Sequence, residues 1–167
     1  MIIELYSNNN QQINNFARDY LKKNHLGKII SLDVGKKRIG VAICDENRLI
    51  CTPKSIINRF SNLQDITSIK NIIDNEKISF MVVGVPLNQD KNSQEDKNEM
   101  SLFIKNFVKK IDDFLKNSFT IFLIDESFSS FEARRIIKNN KNKTRKFYDD
   151  ISASIILQGF IRQYLNF

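Results

Sequence analysis

Three places in this 167-residue sequence put carboxylates where they are locally awkward. Asp33 interrupts the alternating apolar run "IISLDVGKKRIGVAIC" and is followed by Gly35 and then by Lys36, Lys37 and Arg38. Asp125 and Glu126 close the apolar run "FTIFLIDE", while Asp149 and Asp150 open "DDISASIILQGFIRQYL" after a long stretch of cations. A charge taken out of water needs a partner, and three carboxylates gathered at one sheet edge repel unless metal ions sit between them. Hard oxygen donors without imidazole or thiolate favour Mg2+ or Mn2+ over zinc. Two such ions about 4 Å apart activate water and stabilise the leaving oxygen during in-line attack on a phosphodiester. Each acid also has a purely structural reading. Asp33 has Arg38 within pairing reach, Glu126 is a candidate cap for a following helix, and Asp149 or Asp150 suits a helix N-terminus.

A second constellation is basic. No acid stands between Glu132 and Asp149, whereas Arg134, Arg135, Lys138, Lys141, Lys143, Arg145 and Lys146 all do. Phe147 and Tyr148 close the run with rings suited to stacking on a base. Lying between two candidate metal ligands, the run reads as a phosphate track, to which Lys36, Lys37 and Arg38 add from the Asp33 side. The bland alternative is a solvated loop whose lysines follow the Asn/Lys-rich composition.

Composition narrows the classes. Lys and Arg number 26 against 19 Asp and Glu, a net charge of +7 and a pI near 9.4, which suits a polyanionic partner. His25 is the sole histidine and sits in the polar run "KKNHLGK", so acid–base or nucleophilic chemistry built on imidazole is disfavoured and carboxylates are left to do the work. Cys44 and Cys51 flank the turn "DENR" and read as apolar strand residues, not as a disulfide or a metal pair. No apolar run long enough to span a membrane and no signal-peptide pattern is visible.

The elements that must position these residues follow from periodicity. Residues 1–27 read as an N-terminal, helical appendage with Ile13, Phe16, Ala17, Tyr20 and Leu21 on one stripe and Gly27 as its stop. Residues 28–167 form the main domain. "KIISLDVG", "RIGVAICDE" and "RLICTPKS" predict three antiparallel strands. A helix follows through Leu63, Ile66, Ile69, Ile72 and Ile73, with Ser61 as N-cap, and then the fully apolar strand "ISFMVVGVPLN". "SQEDKNEMSLFIKNFVKKIDDFLKN" is a long amphipathic helix with its apolar stripe from Met100 to Leu115, "FTIFLIDE" is a last buried strand, "SSFEARRIIKNN" opens a short helix, and the C-terminal segment makes a final one. The expected architecture is α/β: a mixed five-stranded sheet, three antiparallel strands then two parallel, with helices on both faces.

Four segments in fixed order resemble one family: "LDVGKKRIGVA", "VVGVPLN", "DESFSSFEA" and "DDISASIILQGFI". They are similar to the YqgF family of ribonuclease H-fold proteins, known as Holliday junction resolvase-like proteins and pre-16S ribosomal RNA nucleases, over about residues 28–165. The resemblance implies a ribonuclease H-like fold, a nuclease dependent on Mg2+ or Mn2+, and a bacterial cytoplasmic setting. It implies that Asp33, Glu126 and Asp149 are the metal-binding catalytic acids. Lys37, Arg38 and Gly40 match the family's Lys-Arg-x-Gly, and Pro86 and Asn88 match its Pro-Leu-Asn. The sequence departs from the pattern at Lys36, where the family usually has Thr, at Ser127, where it usually has Arg, and near Lys91, where it often has Gly. Losing an Arg beside Glu126 removes a bidentate phosphate clamp that Ser does not replace.

These readings give a leading expectation and rivals from other classes. The leading one is a two-metal nuclease trimming the 5′ end of precursor 16S rRNA. In it Lys36, Lys37, Arg38, Asn88, Arg134, Arg135, Lys141, Lys143, Arg145 and Lys146 contact nucleic acid. A branched-DNA resolvase is the rival substrate reading, and a non-catalytic nucleic-acid-binding module with a weakened metal site is the rival class. An ATPase of the actin-like kind, which uses a similar Asp-x-Gly hairpin, needs two lobes where this chain has room for one. Monomer and homodimer both remain open, and a junction resolvase requires the dimer.

Overall fold

The computed structural model describes residues 1–6, 11–23, 27–87, 94–125 and 145–165, of which 11–14, 94–98 and 145–150 are described as helix backbone alone. Its elements are β1 (Ile2–Leu5), α1 (Gln11–Lys23), β2 (Lys28–Val34), β3 (Arg38–Cys44), β4 (Cys51–Asn58), α2 (Asn62–Glu76), β5 (Ile78–Val85), α3 (Gln94–Phe114), β6 (Ile121–Asp125) and α4 (Arg145–Tyr164). The short helix expected from "SSFEARRIIKNN" falls outside the described residues.

One sheet holds all six strands in the order β1-β6-β5-β2-β3-β4. The meander β2-β3-β4 is antiparallel, whereas β5, β6 and β1 run parallel to β2. The sheet therefore has one strand more than the five expected. The sixth is Ile2–Leu5, which pairs with β6 from Ile2–Ile121 to Leu5–Ile124. Four residues carry too little alternation to announce a strand, and this one takes its ladder from a partner far along the chain. α1 occupies the predicted helical stretch, with Ala17 and Leu21 buried as expected but Phe16 half exposed.

Period-two alternation sorts the strands onto two cores. Ile30, Leu32 and Val34 join Met81, Val83, Ile121 and Leu123 against α2 and α3. Ile29, Phe80, Val82, Phe122 and Ile124 face α1 and α4, where Phe80, Phe122 and Phe160 meet at ring separations of 5.3 to 6.0 Å. β5, the centre of the parallel part, has every residue but Ser79 buried, as its continuous apolar sequence requires. β4 is an edge strand, and Pro53 sits there beside a bulge where a missing N–H is tolerated.

α2 shows how short the connections are. Ser61 caps it by accepting from the Gln64 amide, and Lys77 ends it in the left-handed region at φ 54°. Ile78 then begins β5 directly. Leu63, expected on the apolar stripe of α2, is instead 65% exposed, because the helix turns its Ile66, Ile69 and Ile73 face to the sheet. Gly27 sits at φ 93°, where a Cβ would lie 2.1 Å from Ser79 Oγ. Its role is thus close approach to β5 as much as ending the segment after α1.

Candidate active site

β2 carries the first acid. Ile29, Ser31 and Asp33 alternate onto the α4 face of the sheet, and Asp33 stands opposite Gly40 of β3. Glycine brings no side chain alongside the carboxylate, so the floor beside Asp33 is backbone. The β2–β3 turn is closed by Gly35, whose amide donates to the Arg38 carbonyl at 2.8 Å. A Cβ at Gly35 would sit 2.9 Å from that carbonyl oxygen. Glycine is needed here for close backbone approach, since Gly35 is not among the residues of positive φ.

Two contacts fix where α4 begins relative to Asp33. Ser31 Oγ donates to the Ala153 carbonyl at 2.6 Å, both residues fully buried. Further along α4, Phe160 packs on Phe80, whose neighbour across the ladder is Ile29. The helix therefore runs antiparallel to β2, with its first turn toward the Asp33 end. From Ala153 back to Asp149 is four residues, about 6 Å of helix, and from Ser31 on to Asp33 is two residues, about 6.6 Å of strand. The α4 backbone at Asp149 thus stands level with Asp33.

β6 reaches the same edge, because Val85 pairs with Asp125 in parallel register. Asp125 is itself buried and continues the Ile121, Leu123 series that faces α2 and α3. The even positions Phe122 and Ile124 share the α4 face with Asp33. Glu126, Asn88, Arg134, Arg135, Lys141 and Lys143 lie outside the described residues. Asp149, Arg145 and Lys146 are described as α4 backbone alone, in its first two turns. Among the described residues no three His, Cys, Asp or Glu side chains form a metal-binding group.

A cleft of about 680 Å3 opens at this edge, lined among the described residues by Asp33, Gly35, Lys36, Lys37, Arg38, Gly40 and Asn58. One carboxylate faces three cations, so the lining offers oxygen donors for a hard metal and positive charge for phosphate. Lys36 also pairs with Glu99 of α3 at 2.8 Å, and this contact holds the Glu99 carboxyl below its usual range. Both partners are well exposed, so the pair contributes little to stability.

Arg59, which sequence reading passed over, is what holds the turn in place. Its amide donates to the Lys37 carbonyl at 3.0 Å and its Nη1 to the Gly35 carbonyl at 3.1 Å. Nε donates to Asp65 Oδ2 at 2.9 Å and Nη2 to Asn62 Oδ1 at 3.1 Å. The guanidinium lies over the rings of Phe103 and Phe107, 4.9 and 4.4 Å from their centroids. Arg59 and Asp65 side chains are only 9% and 2% exposed, a buried pair tying β4, α2 and α3 to the cationic turn. The available sequence signal was an Arg at a strand end, two residues before an N-cap and six before an acid in the first helical turn.

The cysteines take no part in the cleft. Cys44 and Cys51 face each other across β3 and β4 at the opposite sheet edge, both unbridged. Burial pushes the Cys51 thiol up to about 12 and raises that of Cys44, whose sulfur accepts from the Ile29 amide. No helix among the described residues is long and apolar enough to cross a membrane.

The antiparallel meander extended by parallel strands, with helices on both faces and an acid at the carboxyl end of the first meander strand, defines a mixed α/β protein of the architecture the sequence predicts, with one strand added. The chain belongs to the RuvX (YqgF) family, described as Holliday junction resolvases, whose sequence profile matches residues 27–163. It is 35% identical over 150 residues to a protein of Pelagibacter ubique (strain HTCC1062), covering 87% of this chain and 95% of that one. It is 31% identical over 137 residues to one of Sulfurihydrogenibium sp. (strain YO3AOP1), covering 81% and 90%. Both relatives bear the name "Putative pre-16S rRNA nuclease". Among solved structures, Thermus thermophilus RuvC in complex with a Holliday junction substrate matches at a TM-score of 0.47 and 9% identity, covering 81% of this chain and 95% of that one.

Proposed function

We propose that this protein is a divalent-metal-dependent nuclease that hydrolyses phosphodiester bonds in structured RNA, with the 5′ end of precursor 16S rRNA as its substrate. The observation that carries the proposal is the convergence at one sheet edge of Asp33, the cationic turn 36–38 and the start of α4, where Asp149 stands. Relatives bearing a pre-16S rRNA nuclease name support the choice of substrate.

In this reading Asp33 and Asp149 hold the metal together with Glu126, the residue after β6. Asp125 is left out of the set because it is buried and continues the Ile121, Leu123 series on the face opposite Asp33. A Mg2+ or Mn2+ ion held there would supply charge neutralisation and would lower the pKa of a water so that it gives up a proton and can act as the nucleophile. Lys37 and Arg38 orient the scissile phosphate and offset the charge that builds on it in the transition state. Arg59 keeps those cations in register with Asp33 by holding the carbonyls of Gly35 and Lys37. Asn88, Arg134, Arg135, Lys141, Lys143, Arg145 and Lys146 would supply further contacts to nucleic acid, as their sequence pattern leads us to expect.

The test is cleavage of a 5′-extended 16S precursor RNA by wild type and Asp33→Asn, with Mn2+ and with EDTA, alongside a four-way DNA junction. The expected result is Mn2+-dependent cleavage of the RNA that Asp33→Asn abolishes while RNA binding persists. Undiminished cleavage by purified Asp33→Asn overturns the site. Cleavage of the junction alone replaces the RNA assignment with the resolvase one.

A further inference from the structure

Phe60 is 87% exposed, the most exposed large apolar side chain among the described residues. Its position is not a loose one. Its amide donates to Asp65 Oδ1 at 3.2 Å, and the preceding Arg59 is locked by the contacts given above. Asn58, two residues earlier, lines the cleft, and two residues of chain span at most about 7 Å. The Arg59 amide is bonded to the carbonyl of Lys37, another cleft residue. A large ring is therefore presented on immobilised backbone at the rim of a cationic cleft.

The ordinary reason for an apolar residue just before an N-cap is a staple onto the fourth helical position. Here the N-cap is Ser61, so that position is Asp65, a buried carboxylate committed to Arg59. Phe60 has no apolar partner there. Leu63, in the first turn of α2, is also exposed, at 65%.

We infer that Phe60 is a stacking platform for an unpaired base of the nucleic acid whose phosphates run over Lys37 and Arg38. The inference rests on the nuclease reading and adds to it a preference for substrates with single-stranded nucleotides next to the cleaved bond. Charge complementarity favours nucleic acid as the occupant, because the adjoining cleft is lined by Lys36, Lys37 and Arg38 and the chain carries +7 overall. A π-face stacks on any base, so the contact discriminates unpaired from paired nucleotides without reading sequence. Because the backbone is already fixed, little ordering cost is paid on binding.

The chain has no tryptophan, so Phe60→Trp installs a single reporter. Its fluorescence is expected to be quenched by an RNA duplex carrying a single-stranded 5′ extension and left unchanged by the blunt duplex. Phe60→Ala is expected to weaken binding of the extended RNA by roughly 5- to 150-fold. The blunt duplex should be unaffected, and so should the salt slope, since no phosphate contact is lost. Its unfolding midpoint should match wild type. Equal affinity of Phe60→Ala and wild type for the extended RNA overturns the inference, as does an equal loss on both RNAs or a marked drop in stability. If Phe60→Ala behaves as wild type while Asp33→Asn still abolishes cleavage, the stacking inference alone falls. If wild type binds neither RNA, both fall.

Discussion

At the scale of single residues, the site depends on what is missing as much as on what is present. Gly40 leaves the space beside Asp33 without a side chain, and Gly35 lets the Arg38 carbonyl come close enough to accept its amide. Adding one methyl group at Gly35 places a carbon 2.9 Å from that oxygen, so the turn must open by several tenths of an ångström. Gly35→Ala is expected to lower cleavage of the precursor RNA by more than its stability change explains. The stability loss itself should be about 1–3 kcal/mol, the usual range for a local steric conflict. Parallel urea unfolding and single-turnover cleavage separate the two effects. Retention of full cleavage rate would show that the turn tolerates displacement.

At the scale of elements, α2 and α3 brace the edge of the sheet through one buried ion pair. Removing one partner of such a pair leaves a charge without compensation and typically costs about 3–5 kcal/mol. Asp65→Asn and Arg59→Met are each expected to fall in that range by urea denaturation. The double variant should cost clearly less than the sum, because neither charge is then stranded. Additive losses would mean the pair is not coupled. This brace was not legible in the sequence, because Arg59 takes its partners from Gly35, Asp65, Phe103 and Phe107, positions that no periodic pattern connects. The meander was legible for the opposite reason: its partners are neighbours in sequence, joined by tight turns and marked by alternation. Likewise the parallel strand β5 showed itself by an unbroken apolar run. Of the site, Asp33 stood out because a charge inside an apolar strand is costly. Its place relative to α4 needed Ser31 and Ala153, whose contact spans 122 residues.

At the scale of the whole molecule, β1 decides how the sheet ends. Leu5 is 1% exposed and lies in the core shared by α1, α4 and β6, so the N-terminal segment contributes to the same core as the rest. Leu5→Ala is expected to destabilise the entire protein by about 2–5 kcal/mol in a single cooperative unfolding transition. A separate early transition, with the main one unmoved, would instead mark residues 1–27 as an independent unit. The pairing of β1 also has a consequence in time. Ile2 finds its ladder partner at Ile121, so β1 waits for 119 further residues to be made before it can dock. At roughly 5–20 residues per second that interval is several seconds to some twenty. Throughout it, Ile2–Leu5 has no strand to pair with, since β1 is an edge strand whose single neighbour is β6. Adding β1 to the sheet is therefore a late step of assembly, although β1 precedes the other described strands in the sequence.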